Sequence, residues 1–325
     1  LKYLSTKNVI PNLEEIFKQE IGHVTDWGQK GLPENKIVIL ENLRFDDSEK
    51  SKDQKIRDKF GKQLASLADI YVNDAFSNIH RDHASMTSVP KFIPGCIGLS
   101  VQSELETLTK AIQKPKRPLV SIFGGLKADK INAMLKLTEI SDRVLVGGAL
   151  AFMLLKEKGI SVGKTKIDLE GLKLDKELKE LSEHYKIILP DDCVIADKFD
   201  PNAEKKVVSV DNIPKNWMAL DIGPDAIKDY TIELNNAKTI LWFGPIGVYE
   251  FERFSEGTRA IANHLAISDA LTIIGGGDSA SAVRYLGLEN SMKLVSTGGG
   301  ASLELVQGKK LIGIKALEEN KKVFK

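Results

Sequence analysis

The chain predicts an α/β protein of parallel βαβ units in two lobes, and three observations carry that reading. Short apolar runs rich in β-branched residues alternate with longer amphipathic stretches over the whole length, the pattern of βαβ units. Several of those runs end directly in glycine-rich turns. At 325 residues the chain also exceeds one ordinary core of roughly 100–200 residues, so two lobes and a cleft are expected.

Near the start, Val9, Ile10, Leu13, Ile16 and Phe17 recur at helical spacing. Strands are then predicted at Lys36–Leu40, Ile70–Asn73, Leu119–Phe123, Arg143–Val146, Ile187–Leu189, Lys238–Trp242, Leu271–Ile274 and Lys293–Ser296. Helical patterns lie between them at Asp53–Leu67, Ser103–Ile112, Ile131–Ile140, Thr258–Leu265 and Ser279–Leu286. The charged, twice-proline segment Gln113–Pro118 is expected to divide the lobes, giving residues 1–112 and 113–310. Residues 311–325 either finish the second lobe or return to the first. The chain begins at Leu1 and runs almost directly into a helix, which reads as though an earlier part precedes it.

Lys and Arg number 46 against 45 Asp and Glu, so a net charge of +1 gives no global attraction to nucleic acid or acidic membrane. Cys96 and Cys193 are too far apart in sequence for a disulfide framework or a paired-cysteine metal site, and a reducing, cytoplasmic setting is expected. No run approaches the ~20 apolar residues of a membrane span.

Chemistry concentrates in four turns that follow strands: Phe123–Lys127, Val146–Ala149, Ile274–Ser279 and Ser296–Ser302. Glycine lets a ligand touch the backbone, and the helix that follows offers free N–H groups and partial positive charge to phosphate. One Gly-Gly pair could merely pack tightly; two Gly-Gly-Gly turns favour a nucleotide cleft. Asp278, directly after one of them, is the candidate Mg2+ ligand, although it could also cap the next helix. Lys127 and Lys130 are expected on one side of a first helical turn, where they are either two solvated lysines or two cations that neutralise a transferring phosphoryl group. Arg44, His80, Arg81 and His83 follow two other strands and are expected to form a basic patch for a small, multiply anionic substrate.

Two motifs mislead. Gly159–Thr165 has three residues between its glycines where a P-loop needs four, and no strand ends at its first glycine. Gly275-x-Gly277-x-x-Ala280 matches a loose dinucleotide fingerprint, but Ser296 stands where an acidic ribose ligand would end the following strand.

Taken together, these segments resemble phosphoglycerate kinase over nearly the whole chain. The resemblance rests on Glu41–Phe45 (ENLRF), Leu64–Phe76 followed by HRDHAS, Gly124–Ile131 (GGLKADKI), Leu189–Asp200, Trp217–Pro224, Gly244–Glu252, Ile273–Ala280 and Ser296–Glu304. It implies two doubly wound, parallel-sheet α/β lobes joined by a hinge helix, with 3-phosphoglycerate on the first lobe and Mg-nucleotide on the second. The implied reaction is phosphoryl transfer between 1,3-bisphosphoglycerate and ADP, with small-molecule substrates, a monomer, and neither nucleic acid nor membrane as partner. By motif, Arg44, His80 and Arg81, with His83 nearby, match the triose-phosphate patch, and Lys127 and Lys130 match the phosphate-contacting lysines. Gly125, Gly148, Leu220, Pro245 and Val248 match the adenine side, and Glu250 the ribose contact. Gly276, Gly277, Asp278 and Ser279 match the phosphate and magnesium loop, and Gly298, Gly299 and Gly300 a helix start facing the phosphates.

Departures from the family pattern are also visible. The lysine loop is one residue shorter than GGAKxxDK, Phe243 replaces the asparagine of WNGP, and Ser77-Asn78 replace Gly-Thr. Leu126, Ala149 and Ala219 replace smaller residues, which would narrow the adenine pocket. The family's opening strand motif and its HLGRP-type motif fall upstream of the segment that aligns with Leu1; if these 325 residues are the whole polypeptide, the first lobe is expected to lack strands and substrate ligands and to show little or no transfer. Phe243 and the short loop motivate an alternative, a catalytically impaired nucleotide-binding or interaction protein on the same scaffold.

Overall fold

The computed structural model describes residues 2–26, 31–127, 130–167 and 174–324. The chain divides into two compact units, Leu1–Gln102 with Lys310–Lys325, and Ser103–Lys309.

The first unit carries α1 (Ile10–Phe17), the parallel pair β1 (Ile21–Val24) and β2 (Ile37–Leu40), α2 (Gln54–Ala65), and the parallel pair β3 (Tyr71–Asn73) and β4 (Gly95–Ile97). Helix α2 starts where the Asp53 carboxylate accepts the Lys55 N–H at 2.8 Å, and it buries Phe60 and Leu64, four residues apart, against Ala84 and Val89. Helix α3 (Leu99–Gln113) begins in this unit and continues into the second. The C-terminal helix, Ile312–Val323, packs in the first unit through Asn320. That side chain is 4% exposed, accepts the Gly95 N–H at 2.9 Å and donates to the carbonyls of Pro90 (2.5 Å) and Ile93 (2.7 Å).

The second unit is built on a six-stranded parallel sheet. In chain order its elements are β5 (Leu119–Phe123), α4 (Ile131–Ile140), β6 (Arg143–Val146), α5 (Gly148–Glu157), α6 (Asp175–Glu183), β7 (Ile187–Ile188), β8 (Asp192–Ala196), β9 (Lys205–Ser209) and β10 (Met218–Ile222). There follow α7 (Pro224–Asn235), β11 (Thr239–Phe243), α8 (Glu256–Ala266), β12 (Leu271–Gly275), α9 (Gly277–Tyr285), β13 (Leu294–Val295) and α10 (Gly299–Val306). The sheet order is β13-β12-β11-β5-β6-β7. From β5 the chain winds outward through β6 to β7, and from β11 it winds the other way, so the winding direction reverses between β5 and β11. All five residues of β5 and of β11 are buried, as strands covered by helices on both faces must be.

Every predicted strand is present within about a residue or two at its ends, which is the usual uncertainty of strand boundaries. The antiparallel sheet β10-β8-β9 was not predicted, nor were β1 and β4. Strand β8 is buried at every position and β9 is almost wholly exposed, so neither shows the alternation that marks a half-buried strand.

Asn320→Ala leaves one buried N–H and two carbonyls without their partner, and should destabilise the first unit by about 2–3 kcal/mol. Urea unfolding of the variant measures this; a loss below about 0.5 kcal/mol would mean that the three groups find other partners.

Candidate functional site

In an open parallel sheet the crevice outside the carboxyl ends of two strands opens where the winding reverses, and ligands bind there. Here that point lies at Phe123-Gly124-Gly125 and Phe243-Gly244-Pro245. Gly124 N–H donates to the Phe243 carbonyl at 2.9 Å, and Trp242 Nε1 donates to the Gly244 carbonyl at 2.6 Å. A β-carbon on Gly124 would overlap the Pro245 carbonyl, and one on Gly244, which has φ 98°, would overlap the Gly124 carbonyl. Only glycine permits this approach.

Neighbouring turns join the same edge. Gly148 N–H donates to the Ile246 carbonyl at 2.6 Å and Leu150 N–H to the Gly125 carbonyl at 3.2 Å. The buried Ser279 hydroxyl donates to the Gly275 carbonyl at 2.9 Å and accepts the Gly244 N–H at 2.5 Å. Gly276, at φ 97°, turns the chain into α9, and Gly299 lies so close that a β-carbon there would stand 3.0 Å from the Gly277 nitrogen. Gly298 caps α10, which opens with Gly299 and Gly300.

The two lysines separate. Lys127 is exposed and precedes the helix, because α4 starts only at Ile131; residues 128 and 129 lie outside the described residues. Lys130 is 5% exposed and turns back under the glycines, with Nζ 3.0 Å from the Gly124 carbonyl. They therefore do not share one side of a helical turn. Leu220 packs with Phe254 in a small apolar cluster on which Val248 lies half-buried, and Val248 N–H donates to the Leu220 carbonyl at 2.9 Å. Pro245 is buried and Glu250 exposed. Phe243 points into the core: it is fully buried, stacks on Phe123 at 5.5 Å, and fills the space where a Gly275 side chain would stand. Its replacement of asparagine is thus a core change under the Gly275–Gly277 turn.

Asp278 is exposed in the first turn of α9. No group of three or more His, Cys, Asp or Glu gathers among the described residues. A lone carboxylate beside two glycine turns nevertheless fits Mg2+, which takes one or two carboxylates and completes its shell with phosphate oxygens and water. The Tyr249 hydroxyl lies in the same region: burial, then the charges of Glu250 and Asp278, hold its pKa above the usual value.

One buried residue invisible in the motifs is Glu104 of α3. Its carboxylate accepts from Ser296 Oγ (2.6 Å), Thr297 N–H (2.9 Å) and Thr297 Oγ1 (2.7 Å), and so holds the turn that leads to Gly298. Nothing local marks it, since its partners lie 192 and 193 positions away. The rejected Gly159–Thr165 segment is a buttress. Lys164 N–H donates to the Trp217 carbonyl at 2.7 Å, and Thr165 Oγ1 accepts the Ala219 N–H at 2.9 Å.

In the first unit, Arg44 and His83 line one cavity of about 350 Å3 with Glu41, Glu49, Asn78 and Ser85. Arg44 donates to Asn78 Oδ1 at 2.6 Å, so the Asn78 departure supplies a guanidinium contact. Burial and then the charges of Arg44, Arg81 and Lys50 hold His83 below its usual value, which leaves it neutral at neutral pH. Glu49 is 3% exposed and pushed up by burial while it accepts from Ser85 Oγ and N–H; its carboxyl is 3.7 Å from His83 Nδ1. Arg81 is exposed, and His80, half-buried, is not among the lining residues. The cavity is thus cationic at its mouth and carries carboxylates in its wall.

Glu41 accepts from Ser5 Oγ (2.6 Å), Asn42 N–H (2.6 Å) and Thr6 N–H (2.8 Å), and these bonds, Ser5 foremost, lower its pKa from 4.5 to about 2. A depressed carboxyl stabilises the fold above its unfolded pKa and loses that contribution as pH falls toward the folded value. The stability gap between the native chain and Glu41→Gln should therefore shrink as pH drops from 4.5 to about 2. Urea midpoints across that range check it; a constant gap would remove Glu41 from the acid response.

The family model for phosphoglycerate kinase matches residues 2–309. A chloroplastic phosphoglycerate kinase of Volvox carteri is 44% identical over 325 residues, covering 96% of this chain and 70% of that protein. A cytosolic phosphoglycerate kinase of Arabidopsis thaliana is 44% identical over 329 residues, covering 97% and 81%. Among solved structures, the phosphoglycerate kinase of Pyrococcus horikoshii superposes with a TM-score of 0.87 at 28% identity over 98% of this chain and 84% of that one. That of Coxiella burnetii gives 0.83 at 35% identity, covering 98% and 82%. The expected α/β class and family resemblance both hold, and this chain belongs to the phosphoglycerate kinase family.

Proposed function

We propose that the glycine-lined edge of the second unit holds the nucleotide and that the Arg44–His83 cavity region of the first unit holds the triose phosphate. The reaction is the family's: reversible phosphoryl transfer between 1,3-bisphosphoglycerate and ADP, giving 3-phosphoglycerate and ATP, with a carboxyl group as acceptor in the reverse direction. The observation that carries the nucleotide assignment is the close backbone approach of Gly124 and Gly244 at the winding reversal between β5 and β11, flanked on the same sheet edge by the glycine turns after β6, β12 and β13. Neither Phe243, a core residue, nor the family relationships favour a non-catalytic alternative.

Direct in-line transfer needs little covalent chemistry from the protein; positioning and charge neutralisation do the work. The N-termini of α9 and α10 point N–H groups toward bound phosphates, beside backbone that no side chain crowds. Pro245, Val248 and Leu220 form the adenine side with Gly125 and Gly148, and the exposed Glu250 accepts from the ribose. The exposed Lys127 reaches the transferring group, whereas Lys130 stiffens the turn through the Gly124 carbonyl. Asp278 would hold Mg2+, which supplies charge neutralisation at the phosphates when bound. Arg44, Arg81 and His80, with neutral His83, bind the anionic triose. Both cysteines are free thiols, in keeping with a cytoplasmic setting, and no helix among the described residues is long and apolar enough to cross a membrane.

A coupled assay of the full-length protein with ATP, Mg2+ and 3-phosphoglycerate tests the reading directly; a full-length protein that binds MgADP but never turns over would overturn it. Asp278→Ala should weaken MgADP binding at least about tenfold and leave 3-phosphoglycerate binding within about twofold, by calorimetry. Equal losses of both ligands would remove Asp278 from the metal site. Arg81→Ala should weaken 3-phosphoglycerate binding by about tenfold or more, the size of one charge-assisted hydrogen bond, with MgADP unaffected. An unchanged triose affinity would remove Arg81 from the patch.

A further inference from the structure

The Pro245–Val248 loop forms one wall of the proposed nucleoside pocket, and two of its backbone N–H groups are held by a residue outside that pocket. Thr258, in the first turn of α8, is fully buried, and its hydroxyl oxygen lies 3.0 Å from both the Ile246 and the Gly247 nitrogens. One side-chain atom thus accepts two consecutive loop N–H groups and fixes the direction of the peptide between them.

The turn that carries Thr258 is itself locked from outside. Ser255, at the start of α8, makes no side-chain capping bond. Instead Asp221 of β10, 1% exposed, accepts the Gly257 N–H at 2.8 Å through one oxygen and the Ile222 N–H at 2.9 Å through the other. The second oxygen also lies against Gly247, where it would overlap any β-carbon, and the same carboxylate excludes a side chain at Gly257. Burial pushes this carboxyl up to about 8 against the pull of its N–H donors. A buried acid is costly, and a hydrophobic residue would fill the same space without that penalty. What the carboxyl group adds is a directional hold on α8 and contact with the loop in one group.

We propose that Thr258 and Asp221 are positioning residues for nucleoside recognition: Asp221 sets the first turn of α8, and Thr258 transmits that position to the Pro245–Val248 wall. Neither touches the ligand. This rests on the assignment of that wall to the nucleoside, and the test separates the two. Leu220 and Val248 are joined by their own backbone bond, so the wall loses its aim without losing its fold when the hydroxyl is removed.

Calorimetric titration of adenosine, MgADP and 3-phosphoglycerate on the whole chain reads the effect. Thr258→Val keeps the shape and removes the acceptor; it should weaken adenosine and MgADP by the same factor, about fivefold to tenfold, and leave 3-phosphoglycerate unchanged. Thr258→Ser, which restores the oxygen, should stay within about twofold of the native chain. A purely structural role would lower the melting temperature of Thr258→Val while adenosine affinity well below melting stayed native, and that result overturns the proposal. So does an equal loss in Thr258→Ser. Should Thr258→Val fail to fold, Asp221→Asn, which loosens the turn but keeps the hydroxyl, must show the same loss confined to adenosine and MgADP. Val248→Trp, which fills the pocket directly, tests the underlying assignment. Lost adenosine binding there, with native affinity in Thr258→Val, overturns only the positioning role; native affinity in Val248→Trp overturns both.

Discussion

Two strand ends, those of β5 and β11, meet so closely that no β-carbon fits between them, and the carboxyl edge of the parallel sheet in the second unit depends on that meeting. The parallel register places Phe123 beside Phe243, their rings stack in the core, and the chain then leaves both strands as bare backbone at Gly124 and Gly244. Lys130 and Ser279 fasten this backbone from below and from the side, through the Gly124 carbonyl and the Gly244 N–H. The result is a surface of peptide groups, which is what a phosphate chain can approach without meeting side chains.

A second regularity is the use of buried acidic side chains as braces. Glu104 holds the turn before α10, Asp192 accepts the Asp225 and Ala226 N–H groups at the start of α7, and Asp221 does the same for α8. Each takes N–H groups from a segment distant in sequence, so each ties two parts of the unit that packing alone would leave free to shift. Helix starts with acids set against them are stabilised. Helices α9 and α10 start with glycine, and no side chain caps their first turns.

Much of this could be read from the residues. The parallel sheet was visible because β5, β6, β11 and β12 are short apolar runs that end in glycine, and the glycine turns fell where the structure has them. Lys127 and Lys130 were placed on one face by counting positions, and the structure separates them because the helix starts after both. Phe243 looked like a lost polar contact; its burial against Phe123 makes it part of the core. Glu104, Thr258 and Asp221 carried no local signal, since what each does depends on a partner brought near only by the fold. The antiparallel sheet escaped because burial at every position, or at none, erases the alternation by which strands are recognised.

The central claim is that nucleotide and triose phosphate are received by different units through the backbone and side chains named above. Amide hydrogen exchange with each ligand alone measures it most directly. MgADP should slow exchange at Gly124–Gly125, Ile246–Val248, Gly276–Ser279 and Gly298–Gly300 and leave Arg44 and Asn78–Ser85 unchanged, while 3-phosphoglycerate should do the reverse. Protection by MgADP in the Arg44 and Asn78–Ser85 segments, with none at the glycine turns, would contradict the account.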